Sequence, residues 1–280
     1  MPFLTEAEPA RGEALPVIPG VRRIVAANAG PMTYRGTNTY LIDTAEAGAV
    51  VLDPGPADHP EHVDAILRAT GGGKVGLILV SHHHYDHIGA VEPLRQATGA
   101  PVAGFREQAI PEFEPEVKID DGDRIAGMTA LHTPGHAPDH LCFAFRTSEG
   151  TEVLFSADHV MSWSSTVVSP PSGNMRAYFA SLEKLLGRAD QLYLPGHGPK
   201  LPEPQTLVRE LLAHRRARER AIEDALANGE PADTYSIMNA LYAQVDPRLR
   251  RAAERNVLAH LLKLEAEGRV RRDGEFWRAA

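Results

Sequence analysis

An α/β protein of four layers, helices outside two packed sheets, followed by a helical C-terminal unit, is the fold that these 280 residues predict. Three observations carry it. Between residues 21 and 130, strand-like and helix-like segments alternate. Residues 117–158 hold short strand-like runs separated by Asp-Gly and Pro-Gly turns, as in an antiparallel region. Beyond Pro199-Lys200-Leu201-Pro202-Glu203-Pro204 the pattern turns helical, which sets an expected division into residues 1–203 and 204–280.

Taken in order, residues 22–26, 38–42 and 49–53 read as strands. Residues 61–69 place Val63, Ile66 and Leu67 on one helical face, with Pro60 suited to the first turn and Gly71 to the stop. The apolar run 75–81 is a buried strand, and residues 88–94 open a helix. Another helix covers 175–186. In the tail, helices are expected over 205–228, 234–244 and 247–267, the last started by Asp246 before Pro247. Residues 270–272 and 275–277 flank Asp273-Gly274, a strong hairpin signal. Three helices and a hairpin make a winged-helix-like unit.

The chemistry concentrates after the strand at 75–81, where Ser81-His82-His83-His84-Tyr85-Asp86-His87 sets three imidazoles and a carboxylate at the spacing H-x-H-x-D-H. Residues two apart in an extended segment point the same way, so His82 and His84 can converge. Asp86 and His87 sit where the chain bends into the helix and can face a second point nearby, which suits a two-metal site. Three further segments repeat the plan. Leu131-His132-Thr133-Pro134-Gly135-His136 presents His136 on a Pro-Gly turn, residues 153–158 form a strand ending in Asp158, and residues 191–198 are a strand and Pro-Gly turn bearing His197. Each delivers one nitrogen or oxygen at a strand's C-terminal end, where sites of layered α/β proteins assemble.

The set His82, His84, Asp86, His87, His136, Asp158 and His197 resembles the full ligand set of the metallo-β-lactamase-fold hydrolases over roughly residues 20–200. The resemblance implies a four-layered αββα sandwich in which His82, His84 and His136 hold one metal and Asp86, His87 and His197 the other. Asp158 would bridge them, and Asp86 and Asp158 would be catalytic as well as ligands. Gly36-Thr37-Asn38-Thr39-Tyr40-Leu41, the Asp-Gly-Asp at 121–123 and the tail resemble the lactamase-like endoribonuclease branch, which carries a winged-helix-like C-terminal domain. Two divalent cations about 3.5–4 Å apart share a water and lower its pKa toward about 7, making a metal-bound hydroxide the expected nucleophile. Imidazole and carboxylate donors suit zinc first; manganese and iron also fit.

Several neighbours admit two readings. Asp53, ahead of Pro54-Gly55, either receives a ligand histidine's N–H or simply forms a turn. His83 and Tyr85 alternate with the ligands and should point away, to touch substrate or to pack. His140 is either a proton donor or a structural hydrogen-bonder. The loop 162–174, with an exposed-looking Trp163, is either a substrate wall or a packed connector, and Gly36-Thr37-Asn38-Thr39 either borders the pocket or turns the chain. Two leads fail on context. The glycine-rich stretch 71–76 precedes a strand instead of linking strand to helix, which excludes a dinucleotide loop. Ser81 beside histidines is no hydrolase triad when metal uses those histidines better.

Composition narrows the partners. Residues 205–280 hold 14 Lys/Arg and 12 Asp/Glu, leaving 15 and 25 in residues 1–204, so the main body is acidic and disfavours broad nucleic-acid binding. Arg248, Arg250, Arg251 and Arg255, with the run 214–220, are the features that favour RNA. No run approaches the ~18 apolar residues of a membrane span, the N-terminus lacks a signal-peptide core, and the single cysteine, Cys142, lies in an apolar strand; cytoplasmic residence is expected. The expected activity is hydrolysis of an ester, thioester, lactone or phosphodiester, with a small ester-like molecule or single-stranded RNA as substrate. The resemblance disfavours a true β-lactamase, which normally lacks the bridging Asp158. A nucleic-acid-binding regulator with a structural metal site is the reading from another class.

Overall fold

The computed structural model describes residues 3–72, 74–107 and 109–280. Its first sheet is built from β1 (Leu15–Ile18), β2 (Val21–Val25), β3 (Asn38–Thr44), β4 (Gly48–Leu52), β5 (Val75–Leu79), β6 (Val102–Phe105) and β7 (Val117–Ile119), adjacent in that order. Pairing is antiparallel from β1 to β4 and parallel from β4 to β7. Helices α1 (Pro60–Ala69), α2 (Tyr85–Ile88) and α3 (Val91–Thr98) lie within this half of the chain. The second sheet runs β13-β12-β11-β10-β9-β8, from β8 (Arg124–Ile125), β9 (Met128–His132), β10 (Leu141–Arg146), β11 (Glu152–Ala157), β12 (Leu192–Pro195) and β13 (Leu201–Pro202). Only β11 and β12 pair in parallel there. Helix α4 (Met175–Leu186) joins β11 to β12, its first turn capped by Asn174 Oδ1, which accepts from Ala177 N.

The layering follows from the two-residue period of the strands. Tyr40 and Ile42, Val50 and Leu52, and Leu77 and Leu79 turn one way and meet Leu141, Phe143, Val153, Phe155, Leu192 and Leu194 between the sheets. The intervening Leu41, Val51 and Ile78 turn outward, onto Val63, Ile66, Val91 and Leu94 of α1 and α3. On the other sheet Cys142, Leu154 and Tyr193 face α4 and the long helix α5 (Gln205–Leu226). Each fully buried Leu or Phe contributes roughly 1.5–3 kcal/mol, so both faces of both sheets stabilise the sandwich. Cys142 is packed inside, with burial pushing its thiol up to about 12.

Helix α5 belongs to two cores: Leu207, Val208, Leu211 and Leu212 pack on the second sheet's outer layer, and Ile222 and Leu226 pack in the C-terminal core. That second core also holds α6 (Thr234–Leu241), α7 (Arg250–Ala266) and the three-stranded sheet β14-β16-β15, from β14 (Ala232–Asp233), β15 (Val270–Asp273) and β16 (Phe276–Ala279). Gly274 takes φ 62° in the hairpin turn.

Several elements differ from the sequence expectation. The helix expected at 88–94 is broken: α2 is a single turn, Gly89 and Ala90 follow, and α3 starts at Val91. The ladder stops because Ala90 N–H donates to Gly55 O at 2.8 Å, and Gly89 lets the two segments meet, since a Cβ there would lie 2.7 Å from Ala57 N. The last tail helix is preceded by a 3-10 turn over Pro247–Leu249, capped by Asp246 Oδ1 at 2.9 Å from Arg248 N. Strands β1, β6 and β14 have too few residues for a periodic signal. Of the glycine-rich stretch, Gly73 lies outside the described residues, and the neighbouring Val75 opens β5.

Candidate metal centre and active site

Parallel neighbours end together, and here that brings the chemistry to one edge of the sandwich. Asp53 follows β4, Ser81 and His82 follow β5, Asp158 follows β11, and Gly196-His197 follow β12. His84 is extended (φ −64°, ψ 141°), and Asp86 and His87 lie on α2. His136 comes from the Pro-Gly turn after β9.

All seven side chains converge. Three sets hold donor atoms within 4.8 Å of one another: His82, His84 and His136; His82, His87 and Asp158; and Asp86, His87 and His197. His84 Nδ1 lies 3.0 Å from His82 Nε2 and 2.9 Å from His136 Nε2. Asp158 stands between the groups. Its Oδ2 is 3.5 Å from His136 Nε2, and its Oδ1 is 3.5 Å from both His87 Nε2 and His197 Nε2. Asp86 Oδ2 closes the far side at 3.2 Å from His197 Nε2.

The donor chemistry fits a cation pair. His136 Nδ1 donates to Val167 O at 2.8 Å, His197 Nδ1 to Gly36 O at 3.3 Å, and His87 Nδ1 to Asp53 Oδ2 at 2.9 Å. Carbonyls and ionised carboxylates only accept, so these rings, when neutral, turn an Nε2 lone pair inward. Lone pairs facing carboxylate oxygens repel unless positive charge lies among them. His87 Nε2 and Asp158 Oδ1 are buried with no hydrogen-bond partner among the described residues. The electrostatics agree. Burial opposes charge on His197 and His87, yet Asp158 and its neighbouring carboxylates raise His197 to about 9 and His87 well above its ordinary value. Burial also works against Asp86 and Asp158 as carboxylates, but the histidines hold both low. On the other side, burial and neighbouring imidazoles push His82 well down and His84 to about 3.

A second layer fixes the first. Asp53 sits at φ 52° and accepts three hydrogen bonds: Oδ1 from Ser81 N at 2.8 Å, and Oδ2 from Ser81 Oγ at 2.7 Å and His87 Nδ1. Ser81 Oγ also lies 2.9 Å from His82 Nδ1, so the serine orients a histidine. The 36–40 segment does more than turn the chain. Gly36 O holds His197, Thr37 Oγ1 donates to Asp86 Oδ2 at 3.3 Å, and Asn38 Nδ2 donates to Pro195 O and Gly198 O on either side of His197. These roles of Ser81, Gly36, Thr37 and Asn38 lie outside the sequence reading; the composition of the Gly-Thr-Asn-Thr run was its one hint. Gly196 provides clearance, because a Cβ there would stand 2.5 Å from Asp158 Oδ1.

Other residues fall differently from expectation. His140 is fully buried behind His82, 5.1 Å ring to ring, with Nδ1 on Thr133 Oγ1; burial and His159 push it well down, and it does not line the cleft, which disfavours it as proton donor. Trp163 is half-buried rather than exposed, stacked on Tyr34 at 5.0 Å, and lines a cavity beside His136. His83 turns away onto Asp139 at 2.7 Å, whereas exposed Tyr85 lines the cleft with His84 and Asp86. Among the described residues no helix is long and apolar enough to cross a membrane.

Comparison with known proteins agrees with this geometry. The metallo-beta-lactamase superfamily pattern matches residues 32–197, and the beta-lactamase associated winged helix domain matches residues 234–277. The chain is 31% identical to the beta-lactamase-like protein 2 homolog of Drosophila melanogaster, over 92% of this chain and 93% of that protein. It is 31% identical to an atrochrysone carboxyl ACP thioesterase of Claviceps purpurea, over 75% of this chain and 66% of that one. In fold it resembles a beta-lactamase domain protein from Burkholderia ambifaria, with a TM-score of 0.83 at 23% identity, covering 98% of this chain and 96% of the other. With donors, layers and kinship in accord, the chain belongs to the metallo-beta-lactamase superfamily, as a hydrolase with a winged helix domain at its C-terminus.

Proposed function

We propose that this hydrolase cleaves small thioesters or related carboxylic esters, using two divalent cations, zinc by first choice, held by His82, His84 and His136 and by Asp86, His87 and His197, with Asp158 shared. The observation that carries the reading is the placement of Asp158 between two histidine groups at equal 3.5 Å distances. When bound, such a pair supplies a water of lowered pKa and positive charge for the oxygen that turns negative in the transition state. The protein's own part is to hold the lone pairs inward through Asp53, Ser81, Gly36 and Val167. In the reaction the water oxygen bonds to the acyl carbon, the carbon–sulfur bond breaks, and the thiol leaves with a proton. Tyr85 and the exposed Met32 line the cleft and are available to the leaving arm.

Support for a small substrate comes from the arginines. Arg248 pairs with Asp246 at 2.7 Å, and Arg250 is bonded to Asn239. The main body is acidic, and a thioesterase stands among the relatives. Cleavage of single-stranded RNA is the second reading, favoured by exposed Arg251 and by Arg255, whose Nε donates to Ser169 Oγ on the cleft's edge at 3.0 Å. The buried, unpaired Cys142 fits a reducing compartment such as the cytoplasm.

Metal analysis followed by a screen of thioester, lactone, phosphodiester and RNA substrates tests this. Thioester turnover is expected to fall by about 100-fold or more in His84→Ala and Asp158→Asn with circular dichroism unchanged. Turnover that survives complete chelation rejects the metal reading, and RNA as the preferred substrate rejects the thioester one.

A further inference from the structure

A cavity of about 150 Å³ lies between the loop that follows Asp158 and the C-terminal helices α5 and α7. Met161, Trp163 and Val167 line it from the loop, and Leu249, Ala252 and Ala253 from α7 and the turn before it. Met32, His136, Asp158 and Val167 belong to the walls of both this cavity and the cleft over the donor cluster. The cavity therefore begins at His136 and Asp158, two of the seven converging side chains, and ends on the winged helix domain.

Its walls are mainly methyl, methylene and aromatic surface. The one cation among them, Arg215, is turned to internal acceptors: it donates to Thr166 O and to Asn256 Oδ1, and its guanidinium lies 5.4 Å from the centre of the Tyr178 ring. Asn256 Oδ1 is used twice over, accepting from Val168 N as well. His214 accepts from Arg218 Nε at 3.3 Å, and burial together with Arg215 and Arg218 pushes the ring down to about 4, so it is neutral at pH 7. Arg215 Nε and His214 Nδ1 have no hydrogen-bond partner among the described residues, but both atoms are buried in the wall and present no polar surface to the cavity.

We infer that this cavity is an acyl subsite, completed by the C-terminal domain, which takes an uncharged acyl group of about four to six carbons or one aromatic ring. The size follows from comparison: a dry apolar cavity of about this volume accommodates one benzene molecule. The inference deepens the thioester reading and rests on it for turnover, but ligand binding tests it separately. The winged helix domain thereby acts as a selectivity wall. Ala252 and Ala253 leave the space that a larger side chain would fill.

Two measurements test it. The first is kcat/KM of the metal-loaded enzyme on N-acetylcysteamine thioesters from acetyl to decanoyl, with benzoyl and the carboxylate-bearing glutaryl. A rise of about fourfold per added methylene up to hexanoyl is expected, then a fall at decanoyl, with glutaryl poor. In Ala252→Phe the hexanoyl-to-acetyl ratio should drop at least about tenfold, the effect of losing two buried methylenes. The second is titration of the protein with hexanamide, followed by indole emission. A saturable shift is expected that vanishes in Trp163→Phe and weakens in Ala252→Phe. A flat chain-length profile, a preference for glutaryl, or no response to hexanamide overturns the subsite. Hexanamide binding that Ala252→Phe weakens, with no thioester turned over, keeps the subsite and rejects the thioester reading.

Discussion

Asp53 Oδ2 accepts a hydrogen bond from His87 Nδ1 at 2.9 Å, while the same carboxylate takes both the backbone N–H and the hydroxyl of Ser81. One side chain at the end of β4 thus orients a donor on α2 and, through Ser81, His82 after β5. Because Asp53 sits at φ 52°, a conformation that Asn tolerates, Asp53→Asn isolates the charge from the backbone. We expect metal affinity to fall about 10–100-fold with the fold intact, measured by competition with a chromogenic chelator. Unchanged affinity would show that Asp53 only shapes the turn.

Gly196 gives a steric test of the same centre. Its missing Cβ leaves room for Asp158 Oδ1 and His87 Cε1, which an alanine methyl would approach to 2.5 and 2.9 Å. Gly196→Ala should displace Asp158 and reduce turnover by about 100-fold, the scale of a 1 Å misplacement. Melting temperature should shift far less than metal content. Full metal content and full turnover would count against a shared role for Asp158.

Metal should also stabilise the fold. Cation bound at about 100 times its Kd adds about 2.7 kcal/mol, which for a chain of this size raises Tm by roughly 5–10 °C. Differential scanning calorimetry of chelated and zinc-loaded protein measures it. Equal melting temperatures would mean the seven side chains hold no ion tightly.

The C-terminal core has its own pH signature. Burial raises the Glu219 carboxyl, but His260 and Lys263 win and hold it at about 2, with Arg269 also 2.9 Å away and Glu223 and Glu267 nearby. A depressed carboxylate contributes stability that is complete above its unfolded pKa, about 4.3, and is lost as pH falls through the folded value. Urea midpoints of metal-free wild type and Glu219→Gln should therefore differ at pH 7 and converge between about pH 4.3 and 2. A constant gap would assign the difference to packing.

The set is legible in sequence because five members follow a strand or a turn and Asp86 and His87 open the helix beside them, so local pattern alone tells that they will be presented. His82 and His84 are two apart in an extended segment, and His136 and His197 follow Pro-Gly. Alternating apolar residues in 38–42 and 49–53 likewise announce a sheet covered on both faces, because Leu41 and Val51 turn opposite to Ile42 and Leu52. What escaped the reading is whatever depends on distant chain segments. That Gly36 O meets His197 Nδ1, across 161 positions, is decided by how the sheets pack. His140, four residues after His136, ends behind the site with its Nδ1 2.9 Å from Thr133 Oγ1, a contact that the pairing of β9 with β10 decides.

The amino-acid order by itself determined most of the strands, the turns and the seven side chains that converge, since these are set by side-chain period and by backbone preferences within a few residues. Tertiary structure alone decided which ring nitrogens face inward and which carboxylate restrains them. It also decided that α7 closes a cavity beginning at Asp158. Those outcomes require hydrogen bonds and contacts between segments that become neighbours only when both sheets and α5 are packed.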